Sequence, residues 1–428
     1  MAVGRTGLIA ALDVGTSKIC CFIARVETTG AIRVIGVGNH VSRGIRGGTV
    51  VDMEATEQSI RAAVDAAERL AGETIRDVYV NLSGVAPRSA KVAVDISIAG
   101  HEVGENDLRR VVDQVGHAEG PDREVIHCIP IGYTIDGHRG IRDPRGMVGE
   151  RLGVEMHVVT AAAGPIRNLA ACISRAHLGI TSFVLAPYAS GLACLVEDEM
   201  DLGITLIDMG AGTTSVAVFY DGSLVHADVL AVGGGHITGD LARLLTTPAA
   251  AAERIKVLYG SAQPSLLDER ETVDVPQVGE LENQVTNHVP RSAINNIIHA
   301  RVEETFEMVK LHLVKSGFDQ VGGRKVVLTG GGSQLQGVRD IAAQVLDRQV
   351  RIGKPLRLQG LAEAAGGPAF STCAGLLFHA ARAPVDAVQW SGQTVPAREG
   401  MLARLRQWMN RGTSGARRMM PAARFEKS

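Results

Sequence analysis

Two segments of this sequence, almost half a chain apart, repeat one pattern of residues. Residues 7–26 and 202–222 each contain an apolar run rich in β-branched residues, an Asp–x–Gly turn with small hydroxyl residues, and a second run that alternates outward and inward. The aspartates that begin the two turns, Asp13 and Asp208, are 195 residues apart. This spacing predicts two similar domains, each opening with a strand–turn–strand hairpin.

Size and composition agree with a globular protein of at least two domains. The 428 residues are 45% hydrophobic and 21% charged, which is enough apolar material for separate cores. The six cysteines never form C-x-x-C, so we expect them to be reduced and structural. No signal-type N-terminus and no 18-residue apolar run is present, which predicts a cytoplasmic chain with at most peripheral membrane contact.

Charge is distributed unevenly along the chain. Residues 398–428 contain eight Arg and Lys against two Glu, a net charge of +6; because the whole chain has a formal charge of −2, the remainder carries −8. A negative body with a positive tail argues against a protein that coats nucleic acid. It predicts that the tail is attracted to an anionic surface.

The two Asp-led turns are suited to holding phosphate. A tight turn with glycine exposes backbone N–H groups that can cradle phosphate oxygens. If the turns face each other, the carboxylates of Asp13 and Asp208 lie near the phosphates and share a divalent ion, for which Mg²⁺ is suited. One such turn alone could be an ordinary hairpin; the pair at domain-scale separation favours a nucleotide.

Two further segments are candidates for the nucleoside. TGGGS at 329–333 follows a buried strand, and its three glycines leave room for a flat ring, although a flexible turn explains them too. In the helical pattern of 251–260, Glu253 and Lys256 lie three residues apart on one face and could grip ribose hydroxyls and the base edge. A solvated helix pair is the alternative.

These motifs resemble those of a known superfamily. LDVGTSK (12–18), IDMGAGTT (207–214) and LTGGGS (328–333) look like the two phosphate motifs and the adenosine motif of actin, DnaK-type chaperones and sugar kinases. LAPYASGLACL (185–195) and FSTCAGLLFHA (370–380) resemble its two connecting helices. Over about residues 5–383 the chain is similar to the FtsA family of bacterial cell-division proteins, which carries its inserted subdomain where residues 85–162 fall here.

The resemblance implies an α/β, actin-like (ribonuclease-H-like) two-lobed ATPase fold with an inserted α+β subdomain. The expected division is residues 1–84 and 163–201 for lobe 1, 85–162 for the insertion, 202–238 and 306–368 for the core of lobe 2, 239–305 for a helical subdomain of lobe 2, 369–382 for a helix returning to lobe 1, 383–400 for a flexible linker, 401–411 for an amphipathic helix and 412–428 for a basic tail.

The resemblance also implies a set of site residues for ATP and Mg²⁺. Asp13 and Asp208 are the expected metal ligands, and Asp208 is also expected to orient the attacking water. The nucleotide contacts that the resemblance implies are Gly15, Thr16, Ser17, Lys18, Gly210, Gly212, Thr213, Thr214, Gly330, Gly331, Gly332 and Ser333. Glu253 and Lys256 join them on the helical spacing described above. Vigorous hydrolases of the superfamily place Gln or Glu in the first connecting segment, where this chain has Ala186, Pro187 and Tyr188, so at most slow hydrolysis is expected.

The C-terminal segment has the pattern of a helix that lies in a lipid interface. On a helical wheel its apolar residues fall within about 120°, with arginines outside this arc, as expected for contact with anionic headgroups. The predicted membrane-binding residues are Met401, Leu402, Leu405, Trp408, Met409, Arg404, Arg406 and Arg411. Docking of a short helix on the protein body or on a partner is the alternative.

The resemblance further implies the partners and the location. They are FtsZ, bound through about 239–305, other copies of the chain in a head-to-tail polymer, anionic membrane lipids and later cell-division proteins, at the cytoplasmic face of the inner membrane at the division site. Two alternatives share the fold: a small-molecule kinase, which needs a second substrate pocket, and a pilus-assembly adaptor of the PilM kind, which binds a peptide. Neither has a use for a lipid-seeking tail.

Overall fold

The computed structural model describes residues 7–115, 122–279, 286–356 and 358–382. Its strands are β1 (Gly7–Val14), β2 (Lys18–Val26), β3 (Ile32–Val41), β4 (Ile45–Arg46), β5 (Thr49–Val50), β6 (Asp77–Leu82), β7 (Arg88–Ser97), β8 (Arg123–Ile135), β9 (His138–Ile141), β10 (Arg151–Ala162), β11 (Gly179–Leu185), β12 (Ile204–Met209), β13 (Thr214–Tyr220), β14 (Ser223–Leu230), β15 (Thr272–Pro276), β16 (Thr286–Pro290), β17 (Lys325–Thr329) and β18 (Gln349–Ile352). Its helices are α1 (Met53–Ala71), α2 (Glu105–Val115), α3 (Ala163–Arg175), α4 (Ala186–Cys194), α5 (Glu197–Leu202), α6 (Gly234–Leu244), α7 (Ala249–Tyr259), α8 (Arg291–Ser316), α9 (Val338–Leu346) and α10 (Ser371–Arg382).

Two five-stranded sheets form the centres of the two lobes, and they have the same order. The first is β3-β2-β1-β6-β11 and the second is β14-β13-β12-β17-β18. In each, an antiparallel hairpin is joined to parallel strands. The register repeats as well, because Asp13 pairs with Cys20 and Asp208 pairs with Ser215, each seven residues further on. The predicted repeat of two hairpins is therefore a repeat of two whole sheets.

The helices of lobe 1 follow from local sequence signals. The α1 helix begins where the Asp52 side chain accepts a hydrogen bond from the backbone N–H of Ala55. It ends at Gly72, which has the left-handed backbone (φ 67°) that glycine adopts at low cost. Its buried face, which includes Ile60 and Val64, packs on β3. This packing covers one side of the first sheet.

Residues between β6 and α3 form the inserted α+β subdomain. Its four strands lie in the order β7-β10-β8-β9, with α2 packed near β7. It has its own core, in which Leu152 and Met156 are fully buried. It also contacts lobe 2, since the Ser89 hydroxyl donates to the carbonyl of Ala227 and accepts from its N–H, both at 3.0 Å. The boundaries given above for the subdomains remain a proposed division of this fold.

Two helices, α4 and α10, cross each other between the lobes. At the crossing, Gly375 lies so close to Ala189 that a Cβ on residue 375 would be 1.7 Å from the Ala189 carbonyl oxygen. Only a glycine permits this approach of two helix backbones. Both helices contribute to the large core shared by the two sheets. They therefore link the two lobes through one continuous core.

Two breaks interrupt the regular structure of lobe 2. Helices α6 and α7 are separate, because Thr246 has a left-handed backbone (φ 52°) and Pro248 precedes α7. Strand β17 ends at Thr329, and residues 331–334 form a turn of 3-10 helix. Of the helices in the described ranges, none is long and apolar enough to cross a bilayer. The predicted linker (383–400), amphipathic helix (401–411) and basic tail (412–428) lie outside the described residues.

Candidate nucleotide-binding site

A cleft between the two lobes brings most of the predicted site residues together. Its volume is about 550 Å³, within the usual range for small-molecule sites. Of the predicted residues, those that line it are Asp13, Gly15, Thr16, Ser17, Lys18, Asp208, Gly210, Gly212, Thr213, Glu253, Lys256, Gly330, Gly331 and Gly332. Ala186 lines it as well. Thr214 and Ser333 are buried and do not line the cleft.

The two Asp-led turns have the same internal geometry and face each other. In the first, the N–H of Gly15 donates to the carbonyl of Lys18 (3.1 Å); in the second, the N–H of Gly210 donates to the carbonyl of Thr213 (2.8 Å). The turns are close enough that a Cβ on Gly212 would lie 2.5 Å from Thr16 Oγ1. The two turns thus bring glycine-rich backbone from both lobes to one point of the cleft, as binding of a single polyphosphate chain would require.

A short hairpin of β4 and β5 braces the first turn. The N–H of Gly48 donates to Thr16 Oγ1 at 3.0 Å. A Cβ on Gly84 would lie 2.0 Å from the carbonyl oxygen of Gly47, so the hairpin packs directly on the chain that follows β6. The Thr16 hydroxyl therefore has a fixed position at the edge of the cleft. This hairpin was not predicted, although its Gly47–Gly48 pair is a signal for a close backbone approach.

The two aspartates in the cleft, Asp13 and Asp208, are buried. Burial raises the pKa of Asp13 to about 7, an effect that nearby Lys18 opposes and the Asp208 charge reinforces. Burial also raises the pKa of Asp208, against hydroxyl donors and Lys18, which lower it. Two acidic groups that are costly to ionise together favour a cation between or beside them.

Asp208 is fixed by hydroxyl groups from both crossing helices. Its Oδ2 atom accepts hydrogen bonds from Ser190 Oγ on α4 (2.5 Å) and from Thr372 Oγ1 on α10 (3.1 Å). The two hydroxyls are themselves 3.0 Å apart. The prediction missed both residues. The available signal was a hydroxyl within an otherwise apolar helix, which needs a buried partner.

Asn81 on β6 has a related positioning role at Asp13. Its Oδ1 atom accepts the N–H of Val14 at 2.7 Å, next to Asp13, and the residue lines the cleft. The prediction missed it too. The available signal was an amide within the apolar strand sequence VYVNLS, which needs a hydrogen-bond partner when buried.

The glycine-rich segment lies at the other end of the cleft. Gly330 has a left-handed backbone (φ 85°), and a Cβ there would lie 2.3 Å from Asp208 Oδ1. Gly331 is open, because a Cβ on it would meet only the Ala369 side chain at 3.8 Å. The hydroxyl of Ser333 donates to the Gly330 carbonyl at 2.7 Å and so braces the turn. This geometry leaves a flat backbone surface free for a ring.

Glu253 and Lys256 form an ion pair on α7 at this end. Lys256 Nζ lies 2.7 Å from Glu253 Oε2, and it donates to the carbonyl of Gly234 at 3.1 Å and to Thr238 Oγ1 at 2.9 Å. The lysine is thus tied to α6, while the glutamate side chain is half exposed. Both side chains border the cavity, and their contact with a ribose or a base edge stays a prediction.

The donor set fits a metal that arrives with a nucleotide. Among the described residues, no group of three or more His, Cys, Asp and Glu side chains could hold an ion by itself. Asp13 and Asp208 are the two acidic side chains near the facing turns. Mg²⁺ binds through one or two carboxylates, water and phosphate oxygens. The cleft therefore suits a nucleotide-bound Mg²⁺ and does not suit a metal cage made of protein alone.

Comparison with known proteins assigns the family. The model for "Cell division protein FtsA" matches residues 205–375, and that for the "SHS2 domain inserted in FTSA" matches residues 84–160. The chain is 46% identical over 386 residues to the cell division protein FtsA of Rhizobium meliloti (strain 1021), covering 88% of this chain and 87% of the relative. This chain belongs to the FtsA family of cell division proteins. The Escherichia coli (strain K12) FtsA is 32% identical, with 94% of this chain and 98% of that protein covered.

Solved structures show the same fold at low sequence identity. The PilM-PilN type IV pilus biogenesis complex contains a chain with a TM-score of 0.63 and 17% identity, covering 87% of this chain and 98% of that one. MreB5 of Spiroplasma citri, solved with ADP, has a TM-score of 0.52 and 12% identity, covering 87% of this chain and 96% of that one. With the FtsA and inserted-domain matches, these likenesses confirm the predicted actin-like two-lobed fold.

Proposed function

We propose that this FtsA-family chain binds ATP with Mg²⁺ in the cleft between its lobes. The observation that carries this proposal is that two Asp-led turns from separate lobes and a glycine-rich turn line a single cavity. The MreB5 structures bound to ADP and to AMPPNP support it, because that protein has the same fold. In this assignment both turns and Lys18 contact phosphate, Asp13 and Asp208 face the metal, and Gly330–Gly332 with Glu253 and Lys256 contact the nucleoside.

Hydrolysis is proposed to be slow, with ATP acting mainly on conformation and assembly. Asp208 would orient a water through the metal, but the residue at the start of α4 that borders the cleft is Ala186, whose methyl group cannot position a water. Binding energy in such a site is available for holding the lobes together, since both lobes contact one ligand. The chain would then switch shape with nucleotide without rapid turnover.

Nucleotide binding is tested by calorimetric titration of ATP with magnesium. Asp208→Asn should weaken binding by at least about tenfold, because it removes a charge that faces the metal. Asp65→Asn, the same change on the exposed face of α1, is the matched control and should bind as the wild type does. Absence of binding by the wild-type chain at millimolar ATP would refute the nucleotide proposal.

We further propose that the chain attaches the FtsZ ring to the cytoplasmic face of the membrane and helps to recruit later division proteins. Membership of the FtsA family supports a role in cell division. The tail sequence supports the membrane part, since Trp408 and the neighbouring leucines alternate with arginines at helical spacing. Self-assembly head to tail would place many such tails along one surface, and repeated weak contacts strengthen attachment.

Co-sedimentation with vesicles tests this tethering role. The full chain and a chain ending at Gly392 are mixed with vesicles of zwitterionic lipid alone or with about one third anionic lipid. The full chain should pellet with anionic vesicles, and the shortened chain should stay in solution. Added FtsZ should pellet only with the full chain. Equal pelleting of both chains would refute the membrane role of the tail. If the full chain pellets while the added FtsZ stays in solution, bridging is refuted.

A further inference from the structure

The ring of Phe370 holds the ammonium group of Lys18. Lys18 Nζ lies 3.1 Å from the centroid of the Phe370 ring, the geometry of a cation–π contact. Lys18 belongs to the first phosphate turn in lobe 1, and Phe370 ends the segment Pro368–Phe370 that leads into α10. Pro368 and Ala369 line the same cleft. The ring therefore meets the lysine at the wall of the nucleotide site.

The ring itself cannot easily move. Phe370 is stacked on Phe22, with 6.0 Å between the ring centroids and 16° between the planes, and Phe22 is fully buried in the shared core. The segment is also tied to the glycine-rich turn, because the carbonyl of Pro368 accepts the N–H of Gly330 at 3.2 Å. The lysine side chain is flexible and the ring is fixed, so the contact sets the position of the lysine.

The position of Lys18 matters because two carboxylates lie near it. Asp13 and Asp208 both act on its charge, yet within the described part of the chain its ammonium makes no ion pair within 4 Å. A flexible ammonium beside two buried carboxylates would ordinarily pair with them. Such a pair would place a protein cation where a nucleotide-bound Mg²⁺ is expected.

We propose that Phe370 is a positioning residue: it holds the Lys18 ammonium away from Asp13 and Asp208, so that both carboxylates remain available to the divalent ion of a bound nucleotide. This inference rests on the proposed binding of ATP with Mg²⁺. Without the ring, the Lys18 ammonium pairs with the carboxylates and competes with the metal. The loss then appears in the magnesium requirement of binding, while a packing defect alone would weaken binding at every magnesium concentration alike.

The test measures the binding of ATP at a series of free Mg²⁺ concentrations. Phe370→Leu keeps an apolar side chain but removes the ring, and it should raise the Mg²⁺ concentration for half-maximal binding by about tenfold. Phe370→Tyr keeps the ring face and should restore the wild-type requirement. Phe378→Leu removes a ring from the same core on α10 and should leave the requirement unchanged. Thermal melting of each variant shows whether it is folded.

A double-mutant cycle separates a role through Lys18 from a structural one. In the Lys18→Met background, Phe370→Leu should cause no further change in the magnesium requirement, because no ammonium remains to compete. A tenfold shift that persists without Lys18, or no shift in Phe370→Leu itself, overturns the proposal. Failure of the wild-type chain to bind ATP at any Mg²⁺ concentration refutes the proposed nucleotide function instead, and this inference with it.

Discussion

The buried histidine of α10 predicts a specific loss of stability in acid. His379 is 3% exposed, and its Nε2 atom has no hydrogen-bond partner among the described residues. It lies about 6 Å from the rings of Tyr79, Tyr188 and His127, in contact with three separate elements. Burial lowers its pKa from 6.5 to about 4, and the charge of Arg382 acts in the same direction.

The sign and size of the effect follow from proton linkage. The unfolded chain binds the proton near pH 6.5, whereas the folded chain binds it only near pH 4, so protons favour unfolding. The free energy of unfolding is unaffected above pH 6.5 and falls as the pH drops below it. His379 alone should lower it by about 2 kcal/mol at pH 5 and by about 3 kcal/mol below pH 4. Burial also lowers the pKa of His127, which adds to the same trend.

Urea unfolding at pH 7.5, 6 and 5, followed by circular dichroism, measures this slope. His379→Phe keeps a ring among the neighbouring rings, and His379→Gln keeps a polar group, but neither titrates. The two variants should differ from each other in stability at pH 7.5. Between pH 7.5 and pH 5, the free energy of unfolding of each variant should fall by about 2 kcal/mol less than that of the wild type. If either variant keeps the wild-type slope, protonation of His379 is not the cause and the reasoning is wrong.

Three further predictions concern the crossing helices and the cleft. Ser190→Ala and Thr372→Ala should each weaken ATP binding about threefold to tenfold by calorimetry, because Asp208 Oδ2 loses a donor. Gly375→Ala should lower the free energy of unfolding by about 3 kcal/mol, because the new Cβ meets the Ala189 backbone; an unchanged urea midpoint would contradict the close crossing. Ala186→Glu should raise the rate of phosphate release from ATP about tenfold or more, and no increase would show that the residue at this position does not limit hydrolysis.

Much of the fold could be predicted because the signals were local and repeated. The hairpin pattern around Asp13 and Asp208 specified two strands and a turn twice, and the same turn hydrogen bond is found in both. The FtsA-like placement of residues 85–162 predicted the insertion, which has a sheet of its own. The break between α6 and α7 has one sequence signal, Pro248, because a proline inside a helical pattern ends the helix before it. The left-handed backbone of Thr246 has no such signal, since threonine rarely adopts it.

The candidate site was only partly predictable, for a physical reason. Residues such as Gly15 and Gly330 belong to short motifs, in which the backbone itself makes the contact. Ser190, Thr372 and Phe370 act through side chains that meet the cleft from helices or turns distant in sequence. Their roles depend on how α4 and α10 cross, which is a property of tertiary packing and not of any one segment.

The same crossing explains how a ligand in the cleft could affect the whole chain. Asp208 belongs to the central strand of lobe 2, but the hydroxyls that hold it come from α4 and α10, which cross without a side chain between them at Gly375. A group that binds Asp208 must therefore act on a carboxylate already coupled to both helices. Because such closely packed helices cannot slide by small amounts without losing contact, we expect the lobes to move as rigid bodies. Nucleotide binding at this carboxylate would then change the angle between the lobes, and with it any surface that both lobes share.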